Sequence, residues 1–105
     1  MHRHADRIAA LQRAILETPG ATDRSERLAA EAGQATGTPA DAYLAKVRTE
    51  SYRIIDADVD ALRTAGIPED AIFELTLAAA LGEATRRFDR AVSMMTLEST
   101  SGERA

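Results

Sequence analysis

Apolar residues recur along the chain at spacings of three and four positions, which is the period of a helix. In the segment 3–17 this stripe is formed by Ile8, Leu11, Ile15 and Leu16. Such spacing places the four side chains on one face of a helix and leaves the opposite face polar. No segment shows the strict alternation that is typical of a strand, so the pattern predicts an all-α protein.

Two further helices are predicted before residue 55. A Pro-Gly pair at 19–20 ends the first helix, and a second helix spans 23–35. Because Leu28 is the only large apolar residue of this second helix, we expect the helix to be weakly anchored. The third helix begins with Thr38 as its N-cap and with Asp41 in its first turn, near the positive end of the helix dipole.

The fourth and fifth helices follow directly. Asp56 is predicted as the N-cap of the fourth helix, and Gly66 ends it. Pro68 opens the fifth helix, and all but two residues of 71–81 are apolar. A helix that is apolar around most of its circumference is usually buried, so we predict that the fifth helix is the central one.

Small residues are spaced four apart in the fifth helix. Ala78 and Gly82 form one pair, and Ala80 and Ala84 form another. Residues at this spacing lie on one face, so each pair allows another backbone to approach closely. The polar segment 98–105 is expected to fray.

The 105 residues fit one domain. We predict a compact bundle of about five helices with a long, Ala-rich central helix. The chain divides into a weaker N-terminal helical pair (1–37), a helical core (38–97) and a flexible tail (98–105). Alanine fills 22 positions and only four residues are aromatic, so the apolar area available for burial is small. We therefore expect self-association, from a dimer to a hexamer, with the chain itself as partner.

Composition excludes several functional classes. The chain has no cysteine, which rules out disulfides, thiolate metal sites and thiol nucleophiles. The net charge of −4 argues against nucleic acid as a partner, and no segment has the apolar length of a membrane span. We expect a cytoplasmic protein without cofactor or metal. His2 and His4 are the only histidines, and a terminal tail explains them better than a chelating site.

Glu74 is the first candidate for acid–base chemistry, since it is the single carboxylate in the most apolar segment. Buried without a partner, it would have a raised pKa, which is a signature of functional sites. Alternatively, Glu74 faces solvent or pairs with an arginine at an interface, and then it has no chemical role.

Glu50, Tyr52 and Asp58 are the other candidates. A carboxylate beside a phenol supports proton transfer if both face one pocket, but neighbouring helical residues point about 100° apart. Tyr52 is equally explained by a packed ring with its hydroxyl at the rim. Asp58 belongs to an Asp-x-Asp-x-Asp run that lacks the glycine and glutamate of a calcium loop, so helix capping explains it better.

The segment 41–92 resembles the alkylhydroperoxidase D-like and carboxymuconolactone decarboxylase-like proteins. The matching pattern is a short helix that ends in Ala-Gly, an acidic turn and a long Ala-rich helix. It is carried by Tyr43–Arg48, Asp56–Val59, Leu62–Leu75 and Ala78–Gly82. The resemblance implies an all-α fold that associates through these helices into dimers, trimers or hexamers.

The same resemblance assigns a Cys-x-x-Cys pair and a histidine to Ser51, Ile54 and Asp58, and an upstream catalytic glutamate near Asp41. Without thiols, peroxidase activity is not expected, and any peroxidase label would rest on homology alone. We favour a non-redox oligomeric protein that binds a small apolar molecule or a partner protein. The alternative is a cysteine-independent acid–base enzyme (a decarboxylase, isomerase or lactonase) that uses Glu74, Asp58, Tyr52 or Glu50.

Overall fold

Helices follow one another along the chain in the computed structural model, which describes residues 2–17 and 20–104, with side chains from 6 to 97 in those ranges. No strand occurs in the described residues, so the all-α prediction is confirmed. A 3-10 turn, Ser51–Arg53, follows the third helix. The helices are α1 (His2–Glu17), α2 (Arg24–Ala32), α3 (Asp41–Glu50), α4 (Asp56–Thr64) and α5 (Glu69–Arg104).

The start of α5 agrees with the prediction. Glu69 and Asp70 occupy its first turn, and the N–H of Ile72 donates to the carbonyl of Pro68 at 3.0 Å. Proline suits this position because a helix start leaves its own N–H groups without intrahelical partners.

The predicted caps of α3 and α4 are wrong in detail. Asp56 is the first residue of α4, and Ile55 is its N-cap. The carboxylate of Asp58 accepts the Ile55 N–H at 2.9 Å, as the third residue of a capping box does. Thr38 precedes α3 by a full turn, where its hydroxyl accepts the N–H of Ala40 at 3.2 Å.

Glycines with positive φ end α2 and α4. Gly33 has φ 77° and Gly66 has φ 91°, in the left-handed region that residues with a Cβ avoid. At the end of α4 the N–H of Ile67 donates to the carbonyl of Leu62 at 3.0 Å. This bond spans the glycine as in a Schellman motif, so the predicted stop at Gly66 is confirmed. The predicted stop at Pro19 lies outside the described residues.

Helix α2 packs against α5 more extensively than any other helix does. Gly82 contacts the backbone of α2 so closely that a Cβ at this position would overlap the carbonyl oxygen of Glu31. Ala78 and Ala30 are fully buried. The close approach predicted for Ala78 and Gly82 is therefore present. The weak anchoring expected for α2 is absent, because close backbone contact replaces large side chains.

The core lies between the first half of α5 and the helices α1–α4, which form a compact body around it. Leu44 and Leu75 are the largest fully buried side chains among the described residues, as a thin core requires. The molecule measures 59 × 29 × 20 Å, because the second half of α5 extends beyond this body. Every residue of 87–97 is exposed. Helix α5 continues to Arg104, so the backbone of 98–104 is helical where the sequence predicts fraying.

The central position predicted for α5 holds for only one of its faces. Ile72, Leu75 and Ala79 are buried, whereas Phe73 is 64% exposed and Leu77 is 39% exposed. The 71–81 segment is apolar on both sides, but the described part of the chain covers only one side.

Candidate functional site

The side chain of Glu74 connects the loop between α1 and α2 to α5. Its carboxylate accepts the N–H of Ala21 at 2.6 Å. It also accepts the N–H of Thr22 at 3.1 Å and the Thr22 hydroxyl at 2.8 Å. The guanidinium of Arg27, which is 3% exposed, lies 3.7 Å away. Glu74 therefore holds the loop between α1 and α2 against α5.

These contacts decide the protonation of Glu74. Burial is the largest influence on its pKa and acts to raise it. The hydrogen bonds from Ala21 and Thr22, with the positive charge of Arg27, together outweigh burial and hold the pKa below its ordinary value of 4.5. A carboxylate with a lowered pKa and several donors is a weak general base. The raised pKa that would mark a functional Glu74 is absent.

Arg27 completes this anchor in the interior. Its guanidinium donates to the carbonyl of Thr22, to the Thr22 hydroxyl at 3.2 Å and to the carbonyl of Leu16 at 3.2 Å. A buried arginine needs this many acceptors, because an unpaired buried charge is costly. No local pattern in the sequence indicates that Arg27 is buried, and only the structure shows its interior position.

Asp58 pairs with Lys46 at 2.9 Å in addition to capping α4. The hydrogen bond from the Ile55 N–H is the largest cause of its lowered pKa, and the hydrogen bond from Lys46 is the next. The capping role that the sequence favoured for the aspartate run thus falls to Asp58. No group of three or more histidine, cysteine, aspartate or glutamate side chains in the described part of the chain could hold a metal ion. The side chains of His2 and His4 lie outside the described part.

Glu50 and Tyr52 lie at the end of α3 and in the 3-10 turn. Glu50 forms an exposed ion pair with Arg53 at 3.0 Å. Tyr52 is 84% exposed, so its ring is not packed as one interpretation predicted. The tyrosine that does pack is Tyr43, whose hydroxyl hydrogen-bonds the hydroxyl of Thr76 at 2.8 Å.

The four predicted acid–base residues do not share a cavity. Asp58 borders a cavity of about 300 Å³ beside Tyr43 and Lys46. Tyr52 borders a different cavity, and the cavities found among the described residues place neither Glu74 nor Glu50 with either of them. Asp41, where the family resemblance assigns a catalytic glutamate, accepts hydrogen bonds from Thr36, whose hydroxyl is the largest cause of its lowered pKa.

The largest of these cavities is a groove of about 500 Å³ between α5 and the end of α3. Two of the three positions that the resemblance assigns to cysteine and histidine, Ser51 and Ile54, line this groove. Arg87 spans it, donating to the carbonyl of Arg48 at 3.1 Å and to Glu83 at 3.0 Å. The Glu83–Arg87 pair expected from the sequence is thus present. The groove holds paired charges and an apolar floor, but its lining contains no thiol and no histidine.

The outward face of α5 is apolar over six turns. Seven residues form this face, and we call them the outer stripe: Phe73, Leu77, Ala80, Ala84, Phe88, Ala91 and Met95. Their successive spacings are four, three, four, four, three and four residues. At 100° per residue the outer stripe lies about 180° from the buried face of α5 and is about 33 Å long. All seven residues are exposed, including Met95 at 67% and Phe88 at 47%.

The middle of the outer stripe lies in a shallow valley. Ala84 borders the groove that contains Tyr52, and it also borders a cavity of about 230 Å³ beside Ile8 of α1. The middle of the stripe, with Ala80 and Ala84, is therefore flanked by α1 on one side and by the 3-10 turn on the other. The small residues predicted to admit another backbone at Ala80 and Ala84 form a floor that no helix of the described chain covers.

Comparison of the chain with protein-family models, with curated proteins and with solved structures finds no match. Among residues 2–17 and 20–104, no helix combines the length and apolar character needed to cross a membrane. The class that the structure defines is an all-helical protein with a long, half-covered C-terminal helix.

Proposed function

We propose that this protein acts as a non-redox homo-oligomer, assembled through the outer stripe of α5. One observation carries the proposal: a continuous apolar face about 33 Å long is left exposed on the helix that forms the core. Apolar surfaces of this extent on a monomer mark interaction sites. Covering the stripe would also add the apolar area that a core with two large, fully buried side chains lacks.

Light scattering of the wild-type chain at micromolar concentration tests this proposal. We expect a mass of at least twice the 11.3 kDa of one chain. Ala84→Glu should reduce the mass to that of one chain, because the interface would then have to desolvate a carboxylate in its middle. Position 84 is exposed, so the variant should keep its helical circular dichroism.

Ser93→Glu is the matched control. It introduces the same side chain at an exposed position of the same helix, away from the outer stripe, and should leave the mass unchanged. A wild-type chain with the mass of one copy, or an Ala84→Glu variant that keeps the wild-type mass, contradicts assembly through this face.

We further propose that an apolar small molecule binds in the groove beside the stripe. Its volume of about 500 Å³ is within the range of ligand sites. Ser51→Leu, which adds bulk at the edge of the groove and outside the outer stripe, should weaken the binding of an apolar fluorescent dye such as anilinonaphthalene sulfonate. The matched variant Ala57→Leu, at an exposed position outside the groove, should not. Equal binding by both variants contradicts the groove as the site.

The family and enzyme assignments stay predictions from the sequence. An alkylhydroperoxidase D-like ancestry is compatible with an all-helical chain, but thiol chemistry requires cysteine, and the sequence has none. The acid–base alternative receives no support from geometry, because Glu74, Asp58, Tyr52 and Glu50 each have separate surroundings.

A further inference from the structure

We propose that the partner on the outer stripe is the α5 helix of a second copy, lying antiparallel, with the two-fold axis beside Ala84. The inference rests on the proposed self-association and specifies its geometry. A two-fold interface is isologous: each residue i that contacts residue j is matched by j contacting i. The stripe must therefore be complementary to itself in one direction or the other.

The spacing of the stripe reads the same in both directions. The intervals of four, three and four residues before Ala84 are repeated in reverse order after it. An antiparallel pairing about Ala84 therefore places every stripe residue opposite another stripe residue. Ala80 lies opposite Phe88 of the partner subunit, and Leu77 lies opposite Ala91 of the partner subunit.

Side-chain size favours the same direction. In the antiparallel pairing Leu77 and Phe88 each face an alanine, so large and small side chains interdigitate in the four layers beside the central pair of Ala84 residues. In a parallel pairing Phe88 would face its own copy, and Ala80 and Ala91 would face theirs. The helices would then be separated at one layer and underpacked at the next, and voids in a packed interface are costly.

Charge gives a second, independent argument. Glu69 and Asp70 occupy the first turn of α5 and are exposed. A parallel pair would place the two acidic turns side by side and would align the two helix dipoles. The antiparallel pair separates the two copies of Glu69 by about 45 Å along the axis, well beyond the screening distance of about 8 Å at physiological ionic strength. One acidic approach is left at each end of the pair, where Asp70 lies level with Glu98 of the partner subunit.

The valley around Ala84 also fits a helix. Ala80 and Ala84 are small and exposed, and the side chains that flank them, Ile8 of α1 and Tyr52 of the 3-10 turn, border cavities on either side. A partner helix across this floor would lie over the open side of both cavities and would cover Tyr52, which is 84% exposed in one chain.

The absence of cysteine allows a direct test by disulfide cross-linking. Each single-cysteine variant carries one thiol, and a disulfide requires Cα atoms within about 7 Å. Ala84→Cys lies beside the proposed axis, so oxidation should convert most of it to a covalent dimer. Ala91→Cys should remain uncross-linked, because the antiparallel pairing separates its two copies by about 21 Å.

A mixture provides the positive counterpart. Ala91→Cys combined with Leu77→Cys should form a mixed disulfide dimer, although neither variant forms one efficiently alone. Ser93→Cys, exposed on the same helix but away from the stripe, should not cross-link. All variants are compared by mass under non-reducing conditions and again after reduction.

The outcomes separate this inference from the proposed function. If light scattering gives one chain mass and no variant cross-links, self-association itself fails. If the chain associates and Ala91→Cys cross-links with itself, the stripe is an interface but the helices are parallel, which overturns the antiparallel geometry. If the chain associates and Ala84→Cys does not cross-link, the axis is elsewhere and the inference also fails.

Discussion

The two faces of α5 have nearly the same apolar character and opposite environments. The inner face, with Leu75, Ala78 and Gly82, is buried by α2 and α3. The outer stripe carries larger side chains, among them Phe73 and Phe88, and is exposed. Burial in this chain therefore follows from where small residues let another backbone approach, and not from where the most apolar area lies.

The two faces differ in what covers them. The inner face is covered by helices of the same chain, and the contact is so close that Gly82 lies against the carbonyl oxygen of Glu31. The outer stripe is equally regular in spacing but is exposed at all seven positions. A second chain that covers the stripe would explain the difference, and substitutions on the two faces should then have different effects.

The largest expected effect is the difference in the free energy of unfolding between substitutions at Leu75 and at Leu77. Leu75 is 2% exposed, so Leu75→Ala should lower the free energy of unfolding by about 3 kcal/mol through lost burial and a cavity. Leu77→Ala should cost less than about 1 kcal/mol in dilute solution, as surface substitutions do, and should weaken self-association. Urea denaturation at low concentration and light scattering at high concentration measure the two effects. Equal destabilisation by both variants contradicts the distinction between the faces.

Gly82→Ala tests the close contact of α2 with α5. Alanine favours a helix over glycine by about 1 kcal/mol, yet here its methyl group would overlap the carbonyl of Glu31. We expect a net loss of about 2 kcal/mol, since overpacking forces backbone shifts. Ser93→Thr adds one methyl group at an exposed position of α5 and should change stability by only a few tenths of a kcal/mol. A stabilised Gly82→Ala variant would show that α2 does not approach this closely.

Glu74→Gln tests the anchor at the edge of the inner face. The amide keeps the shape but loses the charge opposite the buried guanidinium of Arg27, and it cannot accept all the donors equally well. We expect a loss of about 1–3 kcal/mol in the free energy of unfolding at neutral pH. Glu50→Gln, which affects the exposed pair with Arg53, should have little effect. If Glu50→Gln is as costly as Glu74→Gln, the anchor has no special role.

The pH dependence of stability follows from the same contacts. Because the pKa of Glu74 is lower in the folded chain than its ordinary value of 4.5, the unfolded chain binds more protons in this region. Stability from Glu74 is therefore complete above about pH 4.5 and is lost as pH falls toward the folded pKa. Glu74→Gln should show a smaller loss between pH 5 and pH 3, measured as the urea midpoint. An unchanged slope would show that Glu74 is not anchored when ionised.

The smallest effect concerns the start of α4, which lies away from both faces of α5. Asp58→Ala removes the acceptor for the Ile55 N–H and the partner of Lys46, so it should lower the urea midpoint. Asp56→Ala, at the residue that the sequence marked as the cap, should lower the midpoint less. A lower urea midpoint for Asp56→Ala than for Asp58→Ala would show that Asp56 caps α4.

The sequence predicted the helices well, and it predicted the site poorly. Helix starts and ends follow from local chemistry such as Pro68 and Gly66, and local chemistry is visible in a sequence. The role of Glu74 depends on the N–H groups of a loop more than fifty residues away, which no local pattern contains. The anchoring of α2 was missed for the same reason: Gly82 and Ala30 look insignificant until their backbones are brought together.

The sequence by itself determined that the chain is all-helical, where most helices begin and end, and that thiol chemistry is absent. The spacing of the outer stripe is also present in the sequence, because all seven residues belong to one helix. Only the tertiary structure decided which side of α5 is covered. It also decided the role of Glu74, whose carboxylate is hydrogen-bonded to a distant loop and has a lowered pKa. The physical reason is that helical period and capping depend on neighbours in the chain, whereas burial and pKa depend on neighbours in space.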